Sequence, residues 1–363
     1  MSALQKFQQL TSEQSIPLHA IVELTTACNF SCNHCYNYDR SKPAPKRDER
    51  PLSTNERLDL IDQLAELGIM QLSFSGGEAT LNRDLIQLCT HASKAGIQVG
   101  LKSNGLRLTP QFFDQLLEHN LTSLEVTLYG LSSETQDAFV GVKGAFETVV
   151  SNLQHINEAA PDLPLTVHWS VLEHNAHEFP TRKEFHRQTG IAISPSSACS
   201  VRHGGDTSSL QHKVTPMQRE SLGLFPKAVE AVASVEKDHF QCGCARTSLA
   251  VSAYGDVWPC VGVPWSAGSI RKQALRDIWN TSSVFKEIRN LKFQDYEPCS
   301  SCNLLGICSR KNSSAFTASG SYTGPDIAAA RVAEQQAQRL GITGSAACLA
   351  DERKRSNSES ASA

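Results

Sequence analysis

Two hydrophobic periods alternate along most of the chain. Short apolar or alternating runs at His19 to Leu24, Ile69 to Phe74, Ile97 to Leu101, Leu121 to Leu128, Leu165 to Val171 and Ile191 to Ile193 read as strands. Between them, apolar residues recur every three or four positions. Leu58, Ile61, Leu64, Ala65 and Leu67 share one helix face, with Ser53 and Glu56 as a capping box and Gly68 as the left-handed stop. Leu85, Leu88, Cys89, Ala92 and Ala95 form another face, opened by Asn82 and closed by Gly96, which makes Cys89 a core residue. Thr109-Pro110 opens a third helix, Ser132 and Ala145 open two more, and Asn175 to Gln188 reads as one continuous helix. Six strands separated by helices predict parallel pairing through right-handed crossovers, with the helices outside.

The later chain reads differently. A bridging helix is expected near Pro216 to Val235. A hairpin is expected where Leu249, Val251 and Ala253 alternate before Gly255-Asp256, and a helix from Asp326 to Leu340. The expected organisation is a polar segment at 1–18, an α/β unit at 19–205, a linker with its helix at 206–240, a cysteine-rich unit at 241–342 and a Ser-rich disordered tail at 343–363.

Composition narrows the function classes. Of 363 residues, 40% are hydrophobic and 20% charged, ordinary usage for a soluble globular chain, and a formal charge of -3 spread over both signs gives no basic stripe for phosphates. Nucleic acid and membrane partners are not expected. There is no signal-like start and no run of 18 uncharged apolar residues, so a cytoplasmic location is expected. Twelve cysteines in a reducing compartment point to metal ligation rather than disulfides.

The cysteines are grouped. Cys28, Cys32 and Cys35 follow the first strand; Cys242, Cys244 and Cys260, then Cys299, Cys302 and Cys308, lie in the second unit; Cys89, Cys199 and Cys348 stand apart. A structural zinc usually takes four ligands in two close pairs, and the first group supplies three. Three thiolates can instead hold three irons of a [4Fe-4S] cluster and leave the fourth open to a small molecule.

Cys28-x3-Cys32-x2-Cys35 after a strand, with Gly76-Gly77-Glu78 after the second strand, resembles the radical S-adenosylmethionine (radical SAM) superfamily. The resemblance implies an open (β/α)6 partial barrel and a [4Fe-4S] cluster on these three cysteines, with S-adenosylmethionine (SAM) on the free iron. SAM would be cleaved there to a 5'-deoxyadenosyl radical that takes hydrogen from a substrate C–H bond. It further implies that Gly76, Gly77 and Glu78 meet the SAM ammonium, Ser103 and Asn104 the ribose, Thr127 the methionine carboxylate and Asn175 the adenine. Backbone satisfaction at strand ends is the plain alternative for the Ser, Thr and Asn residues, and a helix cap for Asn175. His34 fills the variable position of the triplet, its imidazole incidental. No catalytic acid or base stands out.

Cys244-x10-Gly255-x4-Cys260 followed by Cys299-x2-Cys302-x5-Cys308 resembles the SPASM domain or its shorter twitch form, which implies one or two auxiliary iron-sulfur clusters. Two cysteines of the full pattern are missing: Asn312 occupies one position, and none follows Pro325-Asp326 closely. Cys242 can replace one and Cys348 another, although Cys348 lies in the expected mobile tail. A structural zinc on four of these thiols is the alternative. Gly141 to Phe146 looks like the peptide-modifying branch of the superfamily, with a plain loop and helix start as the alternative, and a peptide maturase acting on a ribosomally made peptide is expected. An external flavodoxin- or ferredoxin-type electron donor and a separate leader-peptide-binding protein would serve it. The rival readings are a small-molecule radical SAM dehydrogenase or cofactor-biosynthesis enzyme, and a non-catalytic iron-sulfur or zinc scaffold. Val261 after Cys260, where sulfatase-maturating relatives carry an acid, disfavours formylglycine formation.

Overall fold

The computed structural model describes residues 2–225 and 242–349. Helix α1 (Ala3–Glu13) occupies the segment expected to be merely polar, started by a reciprocal capping box between Ser2 and Gln5. Six strands follow, β1 (His19–Glu23), β2 (Gln71–Ser75), β3 (Gln98–Ser103), β4 (Leu121–Leu128), β5 (Leu165–Ser170) and β6 (Ile193–Ser196), each paired in parallel with the next. The connections carry α2 (Thr54–Leu67), α3 (Leu85–Lys94), α4 (Pro110–Glu118), α5 (Ser133–Val140), α6 (Ala145–Ala159) and α7 (Arg182–Thr189). Among the described residues the sheet is open, with β6 at its edge, and Pro195 within it is tolerated because no further strand there requires its amide.

Most sequence signals land where their chemistry requires. Ser53 and Glu56 exchange side-chain and backbone hydrogen bonds, Gly68 stops α2 in the left-handed conformation at φ 95°, and Thr109 caps α4 through the Phe112 amide. Three differ. Asp84, not Asn82, precedes α3; the Asn82 side chain instead accepts the Asp84 amide in a turn at 2.9 Å. The continuous helix expected from Asn175 is broken into a 3-10 stretch (Ala176–Thr181) and α7, because Pro180 inside it lacks an amide proton. The sixth strand begins two residues late, after Gly190 ends α7 at φ 73° and Ile191 is buried in the core.

The second unit is built onto the first. Of the expected bridging helix, α8 (Pro216–Leu222) is present and Gly223 ends it; from residue 226 onward it lies outside the described residues. Strand β7 (Ser248–Val251) pairs in parallel with β1, and β8 (Asp256–Trp258) and β9 (Gly268–Ser269) continue antiparallel, giving the order β6-β5-β4-β3-β2-β1-β7-β8-β9. The expected hairpin is present, and its attachment makes β1 an interior strand. Helices α9 (Leu275–Thr281) and α10 (Ser283–Asn290) follow. The Leu275 amide donates to Gln63 Oε1 at 2.7 Å and the Arg271 guanidinium meets Glu56 at 2.9 Å, so α9 is docked on α2. Helices α11 (Asn312–Ser319) and α12 (Ile327–Leu340) complete the described fold, the latter capped by Asp326. No helix among the described residues is long and apolar enough to cross a membrane.

Candidate active site and auxiliary metal centres

The carboxyl ends of β1 to β4 open into a cavity of about 420 Å³. Cys28, Cys32 and Cys35 line it from the loop after β1, Gly76, Gly77 and Glu78 from the end of β2, Ser103 and Asn104 from the end of β3, and Thr127 from β4. Residues as far apart in the chain as Cys28 and Thr127 therefore share one wall, as strand ends in parallel α/β sheets do.

Backbone contact explains the two glycines. The Gly77 amide donates to Thr25 O at 2.7 Å and the Glu78 amide to Ala27 O at 2.9 Å, which straps the turn after β2 onto the cysteine loop. A Cβ on Gly76 would lie 2.3 Å from Thr25 O, and one on Gly77 2.2 Å from Ala27 O. Only hydrogen at both positions lets the two loops approach this closely.

Glu78, 1% exposed, is the hub of the wall. Its Oε1 accepts from the Thr80 amide, the Thr80 hydroxyl and, at 2.8 Å, the Ser103 hydroxyl, while Oε2 accepts the Asn104 amide at 2.7 Å. The two bonds from Ser103 and Asn104 fix the end of β3, and the two from Thr80 fix the turn after β2. The Asn104 side chain then donates to Asn29 Oδ1 at 2.7 Å and points its amide at Cys28 Sγ at 3.8 Å.

Donors surround the thiols. The Phe30 amide meets Cys28 Sγ at 3.4 Å and the Arg40 Nε meets Cys35 Sγ at 3.3 Å, while Arg40 also donates to Thr26 O. The buried Arg202 guanidinium holds the Asn33 carbonyl, and the Ser31 amide donates to Val140 O at 2.8 Å, just before Gly141. The end of α5 at Val140, immediately before the Gly141 to Phe146 segment, thus braces the cysteine loop from outside. Burial pushes the Cys28 thiol up and the Cys32 thiol well up. Among the described residues no three His, Cys, Asp or Glu side chains converge as donors around a single metal ion must. Three thiols spread along a cavity wall, with N–H donors at two sulfurs, fit the separate corners of a cubane instead.

Asn175 stands apart from this cavity. It is fully buried, its Oδ1 accepting the Leu172 amide and its Nδ2 donating to the Tyr129 and Ser170 carbonyls at 2.7 Å each. Every polar atom of its amide is used to lock the β5 exit. His34 packs against Tyr129 and Phe139, ring centroids 5.1 Å apart in each case, and burial lowers its pKa to about 3, so its ring is neutral. Tyr36, Arg40, Tyr129 and Cys199 also line the cavity without having been singled out in the sequence. Tyr36 donates to Glu23 Oε1 at 3.1 Å; Glu23 is 3% exposed, and burial raises its pKa to about 7.

The second unit gathers its thiols into two groups. Cys242, Cys244 and Cys260 form the first. The Cys244 thiol hydrogen-bonded beside it and the Tyr322 hydroxyl at 3.1 Å hold the Cys242 thiol below its usual range, while Cys244 is pushed well up by its neighbours Cys242 and Cys260 and by burial. Asn312, where the full pattern has a cysteine, aims Nδ2 at Cys242 Sγ at 3.5 Å. Cys299, Cys302 and Cys308 line a second, apolar cavity, where burial pushes Cys308 up to about 12. Val261, next to Cys260, lines the large cavity, so the first group lies beside the active-site wall.

An open parallel sheet with a three-cysteine loop at its carboxyl edge defines an iron-sulfur α/β enzyme. Residues 22–181 match the family model of the Radical SAM superfamily, and residues 242–303 match that of the SPASM iron-sulfur cluster-binding domain. The chain belongs to the radical SAM superfamily and carries a SPASM domain behind its barrel. It is 28% identical to the AdoMet-dependent heme synthase of Methanosarcina barkeri, over 83% of this chain and 92% of that protein. It is 26% identical to the mycofactocin maturase MftC of Mycolicibacterium smegmatis, over 80% and 77%, and to the PqqA peptide cyclase of Bradyrhizobium diazoefficiens, over 93% of each. Among solved structures, Streptococcus suis SuiB bound to its precursor peptide SuiA superposes with a TM-score of 0.62 at 17% identity, covering 85% of this chain and 75% of SuiB; that likeness shows the fold.

Proposed function

We propose that this radical SAM enzyme modifies a peptide at an unactivated C–H bond. The single observation that carries the chemistry is the cavity in which Cys28, Cys32 and Cys35 face the Gly76-Gly77-Glu78 turn and the ends of β3 and β4. When bound there, a [4Fe-4S] cluster and SAM supply a 5'-deoxyadenosyl radical. The chain's own residues do the rest. The three thiolates would hold the cluster. Gly76 and Gly77 present bare backbone to the SAM ammonium, Ser103, whose hydroxyl proton goes to Glu78, offers its oxygen as an acceptor to the ribose beside Asn104, and Thr127 offers a hydroxyl to the methionine carboxylate. Glu78 is a positioning residue in this reading, since its oxygens are already spent on Thr80, Ser103 and Asn104. Arg40 and the Phe30 amide stabilise thiolate charge. The electron for the cluster would come from an external low-potential donor.

The peptide substrate rests on relatives. A mycofactocin maturase and a PqqA peptide cyclase match most of the chain. The active-site cavity also shares Ala198, Cys199 and Ser200 with a second, open cavity of about 530 Å³ between the barrel and the SPASM domain, which gives an extended substrate a way in. The heme synthase match favours a second reading, a tetrapyrrole substrate. Reconstituted, reduced enzyme with SAM and a short peptide encoded beside its gene separates them. A peptide mass change with deuterium passing from labelled peptide into 5'-deoxyadenosine supports the first; deuterium passing only from a tetrapyrrole supports the second.

A further inference from the structure

Residues 343–363 read as a tail, yet 343–349 are folded back onto the SPASM domain. Gly341 ends α12 at φ 67°, and the Ile342 amide donates to Ala337 O at 2.9 Å, turning the chain through a reverse bend. Gly344, at φ 148°, passes over Asn303 and Leu304, whose atoms would lie 3.6 Å from a Cβ there. The Ala346 amide then donates to Glu334 Oε1 at 2.9 Å. Ala346 and Leu349, 2% and 4% exposed, join Leu304, Ile307 and Ala333 in a small apolar core separate from that of the barrel. Between Ala346 and Leu349 lies Cys348, and it lines the same cavity as Cys299, Cys302 and Cys308.

We propose that Cys348 is the fourth ligand of the second auxiliary cluster, completing a four-thiolate site with Cys299, Cys302 and Cys308. The proposal rests on the SPASM assignment and is independent of the peptide reading. Geometry supports it in three ways. The cavity is walled mainly by apolar side chains such as Leu304, Leu305, Ala330 and Ala333, which exclude water as a buried cluster requires; of its two charged lining residues, Arg310 is a cation and Asp326 is engaged in capping α12 through the Ala329 amide. The segment bearing Cys348 is held by its own backbone and apolar contacts, so the thiol is presented from an ordered turn rather than a free end. The ligand spacing departs from the expected pattern: the cysteine missing shortly after Pro325-Asp326 is supplied 22 positions beyond Asp326, after α12 has carried the chain out and the bend has brought it back. The two auxiliary sites then differ, the second with four thiolates and the first with three beside Asn312 and Tyr322.

Differential alkylation of the anaerobic holoenzyme tests this without mutation. Cys348 is expected to resist iodoacetamide together with Cys299, Cys302 and Cys308, and to react along with them once iron is chelated. Labelling of Cys348 while the other three stay protected would overturn the proposal. A second measurement covers protection by burial alone. In a background with Cys28, Cys32 and Cys35 all changed to Ala, about eight irons are expected, as two cubanes. Adding Cys348→Ser should speed chelator removal of about four of them at least tenfold and alter the cluster's paramagnetic resonance spectrum. Unchanged release and spectrum contradict the Cys348 ligand alone. A background that binds no iron removes the SPASM reading as well.

Discussion

Single residues carry the tightest constraints on the active site. Gly77 has no room for a methyl group, because the nearest atoms are backbone carbonyls of the cysteine loop. Gly77→Ala is expected to cost on the order of 1–3 kcal/mol, read as a lowered denaturation midpoint, and to reduce cluster retention by displacing that loop. Glu23 behaves as a buried acid. Its folded-state pKa of about 7 lies above the value of 4.5 for an exposed glutamate, so the folded protein holds the extra proton and its stability falls as pH rises from about 4.5 through about 7. Glu23→Gln should flatten that fall, gaining up to roughly 3 kcal/mol relative to the parent at pH 8 and little at pH 4 in denaturant titrations. Asn312→Cys places a fourth thiol next to Cys242 and should slow chelator release of iron from the first auxiliary site. The cysteine triplet and the Gly-Gly-Glu turn were legible in the sequence because spacing and strand-end position encode them. Asn175 could be read two ways, because an asparagine after a strand serves a ligand and backbone groups equally well in one dimension, and in the fold its amide is fully engaged with backbone. Tyr36, Arg40 and Cys199 reach the cavity by loop geometry that no periodicity reports.

At the scale of elements, β1 is held from both sides. It pairs with β2 through five residues and with β7 through four, and its loop delivers the cluster ligands. The six parallel strands could be read from alternating periods with capping signals, whereas the β1–β7 pairing could not, since it joins segments more than 220 residues apart. Ala250→Pro, in the middle of β7, removes an amide and imposes a fixed φ inside an interior strand. Because the pairing partner is β1, the substitution should loosen the active-site cluster as well as the SPASM domain, seen as loss of about four irons beyond any auxiliary loss in anaerobic iron counting. The break at Pro180 shows the opposite case: the residue that stops the helix was visible, and amphipathic spacing concealed it.

For the whole molecule, the barrel and the SPASM domain form one continuous sheet, with α9 packed on α2 and a cavity shared between them. An auxiliary centre beside Cys260 therefore sits next to the substrate space through Val261. The central claim is that the Cys28, Cys32 and Cys35 site holds a cluster with one free iron that cleaves SAM. The most direct test is the yield of 5'-deoxyadenosine from anaerobically reconstituted, reduced protein supplied with SAM, for the parent and for Cys32→Ala. The expected result is 5'-deoxyadenosine with equimolar methionine from the parent and none from Cys32→Ala, although the variant keeps its auxiliary iron. Intact SAM with the fully loaded parent, or equal product from both proteins, would contradict the account.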